Sequence, residues 1–246
     1  TVLPRLVFPP LPALWGVPTA FENDFDLTEL RWSSHATRLF RAVLRHDQAT
    51  GIALLERRGV TGLVKLLPGV DARVVETSRG APLAEVWWLR SPQPFAFAAG
   101  SVARVDGERG WLEAVLGLGA AASRTVCLDT RDPMSAEPGG LRVPPAPGPA
   151  TVEVIERRPS RIELFVTRTG EGDAPSLIAI NQTWDEFWSA TLDGERTKVL
   201  RVDLSLSAVV VPKGRSVLVL TYDDPWIRRG IGLALGGVLV AIVLFS

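Results

Sequence analysis

The chain has 246 residues, 46% of them apolar, so it is long enough to bury a hydrophobic core and to form two domains. Its 27 basic and 27 acidic residues cancel and no long run of like charge occurs, which argues against nucleic acid as a partner. Cys127 is the only cysteine and His35 and His46 are the only histidines, which excludes an intrachain disulfide and any cysteine-based or multi-histidine metal site. The sequence therefore predicts a folded protein with no metal and no cofactor.

Residues 1–136 mix helical and strand-like patterns, which predicts a mixed α/β domain. Residues 33–46 carry apolar side chains at helical spacing behind a serine that can cap a helix, and a second short helix is expected around Leu54. A third helix is expected over GERGWLEAVLGLG, and strands are expected over VTGLVKLL, AEVWWLR, FAFAAGSVARV and RTVCLDT. Cys127, in the last of these strands, is expected to be a small buried residue.

Residues 137–150 are rich in proline and glycine and can continue neither a helix nor a sheet, so they are expected to be a linker. Over residues 151–225 turn signals recur and helical periodicity disappears, as expected for an antiparallel β-sandwich. Asp193-Gly194 is a favoured pair for a tight hairpin turn. Alternation before that turn places Trp188 on the face that packs into the core.

Residues 226–246 carry no charged residue after Arg229, which predicts a transmembrane helix at the C-terminus. At 1.5 Å per residue, residues 230–246 would span roughly 25 Å, slightly less than a hydrocarbon core of ~30 Å. The alternative is a buried helix of a soluble domain, although such a helix seldom lacks polar residues on every face. The predicted fold class is thus α+β: a mixed α/β domain, a β-sandwich and a transmembrane helix.

Two sets of residues in and beside this tail are candidates for membrane contacts. Small residues at spacings that let a second helix approach closely predict contact with other membrane helices: Gly232, Ala234, Gly236 and Gly237. Aromatic and basic residues before the span are placed for contact with the membrane interface: Tyr222, Trp226, Arg228 and Arg229. Membrane lipid and other membrane-protein subunits are the partners that follow.

Candidates for chemistry are few. Asp24 and Asp26 form an acid-x-acid triplet of the kind that can hold a metal between phosphate and carboxylate, but such triplets occur by chance in a chain with 27 acids. Trp184 and Phe187 are aromatic residues that could contact a glycan or a partner, with burial in the core as the alternative. The neighbouring acids Asp185 and Glu186 are expected to be surface charges. No serine nucleophile elbow, phosphate-binding glycine loop or zinc-helix motif occurs.

The order of features resembles the extracytoplasmic C-terminal region of the YfhO-like family of bacterial multi-pass membrane proteins. The match is clearest over residues 177–235, where an aromatic-rich strand, an Asp-Gly turn, a Val-Pro-x-Gly turn, a strand ending near tyrosine and a closing apolar segment follow in order. The residues that carry it are Trp188, Asp193, Gly194, Val211, Pro212, Gly214 and Tyr222. Glu186-Phe187 stands where the family has Pro-Gly, which is a departure.

The resemblance implies a glycosyltransferase-like protein that uses lipid-linked sugars, with its catalytic acid in a multi-pass core before this region. It also places the soluble part outside the cytoplasm at a bacterial inner membrane, whereas Arg228 and Arg229 alone would place their flank in the cytoplasm.

The leading hypothesis is a non-catalytic, membrane-anchored extracytoplasmic module that acts as an accessory or scaffold subunit of a membrane protein complex. The alternative is the outer, glycan- or acceptor-facing domain of a multi-pass glycosyltransferase, with Asp24, Asp26 and Trp184 as the expected contacts. A third hypothesis is a soluble sugar-binding sandwich whose tail is a core helix.

Overall fold

The computed structural model describes residues 42, 43, 46–58, 62–66, 84–88, 91–136, 143–168, 173–225 and 230. Its α-helices are α1 (Gln48–Arg57) and α2 (Gly107–Leu118), and α2 runs on into a 3₁₀ turn (Gly119–Ser123). Residues 42, 43 and 46 are also helical, and Val43 is fully buried. The strands before the predicted linker are β1 (Gly62–Leu66), β2 (Ala84–Trp88), β3 (Ala96–Ala98), β4 (Ser101–Val105) and β5 (Thr125–Asp129).

Eight strands follow in the second half: β6 (Ala150–Arg158), β7 (Arg161–Arg168), β8 (Ser176–Thr183), β9 (Trp188–Leu192), β10 (Glu195–Thr197), β11 (Leu200–Val202), β12 (Leu206–Val211) and β13 (Arg215–Tyr222). They build a five-stranded antiparallel sheet in the order β10-β9-β13-β7-β6 and, together with β3, a four-stranded antiparallel sheet in the order β11-β12-β8-β3. β1 and β2 form a separate antiparallel pair.

The two larger sheets pack face to face as a β-sandwich. Along β7 the side chains alternate, so that Ile162, Leu164 and Val166 face inward with at most 1% of their surface exposed. The facing side chains include Ile178 of β8 and Val209 of β12, which belong to the same apolar cluster. Burying side chains of this size stabilises the fold by about 1.5–3 kcal/mol each, so this cluster is the main source of cohesion between the sheets.

The four-stranded sheet is covered on both faces, which explains why every residue of β12 is buried. Leu177 of β8 and Val210 of β12 point away from the sandwich core and pack against β4 and β5, in a second apolar cluster with Val102 and Val126. On the far side of β4 and β5, the helices α1 and α2 close a third cluster around Trp111 and Cys127. The sheet at the centre therefore separates two hydrophobic cores.

β4, α2 and β5 form a strand-helix-strand unit in which β4 and β5 are parallel, with Ser101 opposite Thr125 and Val105 opposite Asp129. Parallel neighbours need a crossover connection, and α2 with its 3₁₀ extension supplies it. The amphipathic sequence of α2 buries Trp111 and Val115 against this unit and leaves Arg109 and Glu113 in solvent, where they form an ion pair of 2.8 Å.

The predicted α+β fold class with a C-terminal transmembrane helix is wrong. The described residues are mainly strands, and α1 and α2, the two α-helices described from end to end, are only ten and twelve residues long. None of the described helices is long and apolar enough to cross a membrane. In some described strands apolar residues alternate with polar ones, and in others every residue is buried. The apolar residues of these strands therefore serve to pack the sheets. Except for Gly230, residues 226–246 lie outside those described.

Strands from before and after the predicted linker belong to the same sheet. β3 precedes residues 137–150, yet it pairs with β8, where Phe97 lies opposite Ala179. Val143, within that range, is fully buried and belongs to the cluster between the central sheet and β4-β5. The four-stranded sheet therefore draws on both sides of the proline-rich segment.

The hairpin predicted at Asp193-Gly194 is confirmed: both residues have positive φ, 53° and 87°, and β9 pairs with β10 across them. The Asp193 carboxylate also accepts a hydrogen bond of 2.7 Å from the Val217 backbone N–H, which fixes the turn against β13. Trp188 is 7% exposed and packs in the sandwich core, as the alternation predicted.

Candidate functional site

A cleft of about 180 Å³ lies at the carboxyl ends of β4 and β5, next to the first turn of α2. In sheets with parallel strands, this end of the strands, beside a helix N-terminus, is where ligands usually bind. The cleft is lined by Val105, Gly107, Glu108, Trp111, Cys127, Asp129, Asp132, Ser135, Arg201, Asp203 and Leu204. It therefore combines residues of the strand-helix-strand unit with the β11-β12 connection of the central sheet.

Asp203 is the most deeply buried acid of the cleft, with 1% of its surface exposed. Its Oδ1 lies 3.1 Å from the Arg57 guanidinium and accepts hydrogen bonds from the Cys127 backbone N–H, at 3.0 Å, and from the Trp111 indole N–H, at 3.5 Å. Since neither side chain of the ion pair is more than 2% exposed, each charge depends on the other for compensation. Asp203 thus joins α1, α2, β5 and the β11-β12 turn.

The second carboxylate oxygen of Asp203, Oδ2, is buried and has no hydrogen-bond partner among the described residues. The same holds for Arg57 Nε. A buried acceptor without a partner is costly, because it has lost its hydration without replacement. Asp203, a lining residue of the cleft, therefore has one buried carboxylate oxygen that can still accept a hydrogen bond.

Arg58 adds a second guanidinium near Asp203, and its Nη2 donates to Ser205 Oγ at 3.1 Å. Burial lowers the pKa of Arg58 to about 10, and the opposing attraction of Asp203 limits the decrease. At neutral pH Arg58 is still protonated, so Asp203 interacts with two positive charges, those of Arg57 and Arg58.

The backbone that holds Asp203 is strained. Asp203 and Leu204 have positive φ values of 48° and 69°. Aspartate tolerates this left-handed conformation, but a leucine there costs of order 1–3 kcal/mol, which the surrounding contacts must offset. Two bonds hold the turn in place: Asp203 N–H donates to Cys127 O at 3.0 Å, and Ser205 N–H donates to Val202 O at 3.1 Å. The position of the Asp203 carboxylate is therefore fixed by the backbone as well as by its ion pair.

The opposite side of the cleft is formed by a second ion pair. The Asp132 carboxylate lies 2.7 Å from Arg201 Nε and also accepts a hydrogen bond of 3.1 Å from Ser135 Oγ. Asp129, at the end of β5, accepts bonds of 2.9 Å from the backbone N–H groups of Gly107 and Arg131. Asp129 thereby supplies the negative charge that the N-terminus of α2 favours.

Cys127 lines the cleft but is not an activated nucleophile. Burial, followed by the negative charge of Asp203, raises the pKa of the thiol to about 12. Only the thiolate is nucleophilic, and a group with that pKa is about one part in ten thousand ionised at pH 8. Cys127 is therefore a packing residue, as the sequence predicted.

We expect a thiol reagent such as Ellman's reagent to react with native Cys127 at least about 100-fold more slowly than with the chain unfolded in urea, because the thiol is both buried and protonated. The measurement is the absorbance change with time at pH 8, with glutathione as the rate standard. Similar rates for the native and the unfolded chain would mean that the thiol is accessible and ionised in the fold.

The aromatic residues predicted to contact a glycan or a partner do not line the cleft. Trp184 is 7% exposed, donates its indole N–H to Val199 O at 3.4 Å and lies beneath the guanidinium of Arg201, so its ring has no open face for stacking on a sugar. Phe187 is half-buried and packs edge-on against Tyr222, with ring centroids 6.2 Å apart. Tyr222 also packs against Trp188, at 5.1 Å. None of these aromatic residues is among those that line the cleft.

The prediction that Asp185 is a surface charge is wrong. It is 8% exposed and its carboxylate accepts a hydrogen bond of 2.9 Å from the Phe187 backbone N–H, whereas Glu186 is exposed as predicted. The other predicted contact residues lie outside the described part of the chain: Asp24, Asp26, Trp226, Arg228, Arg229, Gly232, Ala234, Gly236 and Gly237.

Sequence reasoning missed the cleft. Its acids Glu108, Asp129, Asp132 and Asp203 are separated by up to 95 positions, and none belongs to a recognisable motif. In RVDLSLS, Asp203 stands on a polar position of the alternation, where a solvent-facing residue is expected, so the local pattern did not single it out. Comparison with protein-family models, curated proteins and solved structures gave no match. The YfhO-like resemblance accordingly stays a prediction.

Proposed function

We propose that this chain is a non-catalytic recognition module that acts as an accessory or scaffold subunit and presents its cleft to a partner. One observation carries the proposal: apart from Asp203 Oδ2, the polar groups of Asp203 and Asp132 are engaged in holding the fold together. Asp203 bridges four elements through Arg57, Trp111 and Cys127, and Asp132 is bound by Arg201 and Ser135. Groups tied in this way are suited to rigid recognition.

Ser135 and Cys127, the serine and cysteine that line the cleft, lack the arrangement that nucleophilic catalysis requires. A catalytic serine or cysteine needs a base within hydrogen-bond reach. Ser135 Oγ lies within hydrogen-bond distance of two acceptors, the ion-paired Asp132 carboxylate and the Arg201 carbonyl, which share its single proton, and the Cys127 thiol is held protonated. His46, the only histidine within the described residues, is exposed on a helix. No group of three or more metal-binding side chains occurs within the described ranges.

The glycosyltransferase alternative has less support. Its expected contacts were Asp24, Asp26 and Trp184. The two acids lie outside the described residues, and the Trp184 ring is enclosed by the sandwich core and Arg201. The predicted extracytoplasmic location and membrane-protein partners remain predictions.

Site-specific photo-crosslinking in the source cells tests the proposal. A photoreactive amino acid would replace Met134 or Arg109, exposed residues on either side of the cleft, and, as a control, Glu153, which is exposed on the edge strand β6. We expect one discrete crosslinked partner from both cleft positions and none from position 153. Crosslinks at none of the positions, or equally at all three, would contradict a recognition role for this face.

A further inference from the structure

We infer that the cleft binds a protonated amine or a guanidinium group carried on a short apolar chain. The inference rests on the proposed function and names the chemical group that the recognition module takes. Three observations carry it: the charge of the lining, the unpartnered oxygen of Asp203 and the apolar wall formed around Trp111.

The charge of the lining is negative. Four carboxylates line the cleft, those of Glu108, Asp129, Asp132 and Asp203, and one guanidinium, that of Arg201. Arg57 and Arg58 interact with Asp203 from outside the lining, and even when both are counted the acids exceed the bases by one. A low-dielectric cleft with this balance attracts a cation and repels an anion.

Asp203 Oδ2 supplies a specific contact within that field. It is buried, lacks a partner among the described residues, and belongs to a carboxylate that lines the cleft. An N–H group of an ammonium or guanidinium ion would satisfy it with a charge-assisted hydrogen bond, which is about twice as strong as a neutral one. The ligand would thereby remove the cost of a buried oxygen that has no donor.

The remaining wall is apolar. Val105, Trp111 and Leu204 line the cleft together, and Trp111 is 4% exposed, with its N–H directed to Asp203. An aromatic face within about 6 Å of a cation attracts it, and alkyl carbons pack against the same surface. A cavity of about 150 Å³ holds a molecule of the size of benzene, so about 180 Å³ suits one side chain or one small alkylamine.

An anion is the competing ligand, because the N-terminus of α2 borders the cleft and helix N-termini favour negative charge. That role is already filled by Asp129, which accepts the Gly107 N–H, while Glu108 adds another acid in the first turn. A phosphate or carboxylate there would lie among four carboxylates. The charge balance therefore favours the cation.

The test is an NMR titration of the purified full-length chain, which follows the indole ¹⁵N–¹H signal of Trp111, assigned from its loss in Trp111→Phe. The probes are butylguanidinium, butylammonium and the neutral, similarly shaped N-butylurea. We expect saturable shifts with one or both cations, little or none with the urea, and weaker binding at higher salt. Glu108→Gln should weaken cation binding severalfold, whereas the matched control Glu195→Gln should leave it unchanged.

A second arm distinguishes the two sources of such a group. If the tripeptides Gly-Arg-Gly or Gly-Lys-Gly bind more tightly than the free cations, the cleft recognises a basic side chain of a protein partner; if the free cations bind more tightly, it takes a small amine. Either order supports cation recognition. Absence of saturable shifts, equal binding of N-butylurea, or equal weakening by the two glutamate variants would overturn it. If crosslinking succeeds but no cation binds, the proposal of a recognition module would stand and only the proposal of a cationic ligand would fail.

Discussion

Asp203→Asn is expected to lower the free energy of unfolding by about 3–5 kcal/mol, because it leaves the Arg57 guanidinium buried without its counter-charge. Asparagine keeps the side-chain shape and tolerates the left-handed backbone at this position, so the effect isolates the charge. Urea denaturation followed by tryptophan fluorescence measures the change, with m values compared to confirm two-state unfolding.

The double variant Arg57→Met/Asp203→Asn is the control for this first prediction. Removing both charges should recover part of the loss, since a buried ion pair replaced by uncharged groups of similar volume is often neutral for stability. The recovery is incomplete because Arg58 still loses the attraction of Asp203. The coupling free energy of the double-mutant cycle should be at least about 2 kcal/mol. If the single and the double variants lose the same stability, the pair would not be a compensated unit, and the loss would come from the Asp203 hydrogen bonds to Cys127 and Trp111.

The second large effect is expected in the sandwich core. Leu164→Ala should lower the free energy of unfolding by about 2–5 kcal/mol, because Leu164 is fully buried in the middle of β7, between β6 and β13, and the closely packed sheets cannot collapse around the lost volume. Thermal and urea unfolding both measure it.

Val154→Ala is the matched control, since Val154 lies opposite Leu164 on the edge strand β6 and is 40% exposed. We expect it to change stability by less than about 1 kcal/mol. A loss at Val154 as large as that at Leu164 would mean that the core extends to the sheet edge or that a further chain covers it.

Local features of this fold were predictable where short-range chemistry decides the backbone. The Asp193-Gly194 turn follows from two residues that adopt positive φ at low cost, and the inward position of Trp188 follows from the alternation beside it. The helix α2 follows from apolar residues at helical spacing in GERGWLEAVLGLG, and the burial of Cys127 follows from its place in an apolar strand. Each depends on fewer than about fifteen neighbouring residues.

The candidate site could not be predicted in the same way. The Arg57–Asp203 pair joins residues 146 positions apart, and a lone arginine at a helix end and a lone aspartate between two strands carry no mutual signal. The same holds for β3, a three-residue segment that completes a sheet whose other strands follow residue 175. For Trp184 the sequence left two positions open, because an amphipathic ring can lie on an open surface or in the core. Its contacts with Val199 and Arg201 place it in the core.

By itself, the sequence determined the turns, the periodicity of strands and helices, the inert cysteine and the absence of a disulfide, because these follow from conformational preferences and residue counts within short segments. Only the tertiary structure decided that the central sheet is covered on both faces, that β3 joins it, and that four acids meet Trp111 in one cleft. Those features depend on contacts between distant segments, where each residue's contribution is set by its neighbours in space. The buried charge of Asp203 exists only because the fold brings Arg57 to it.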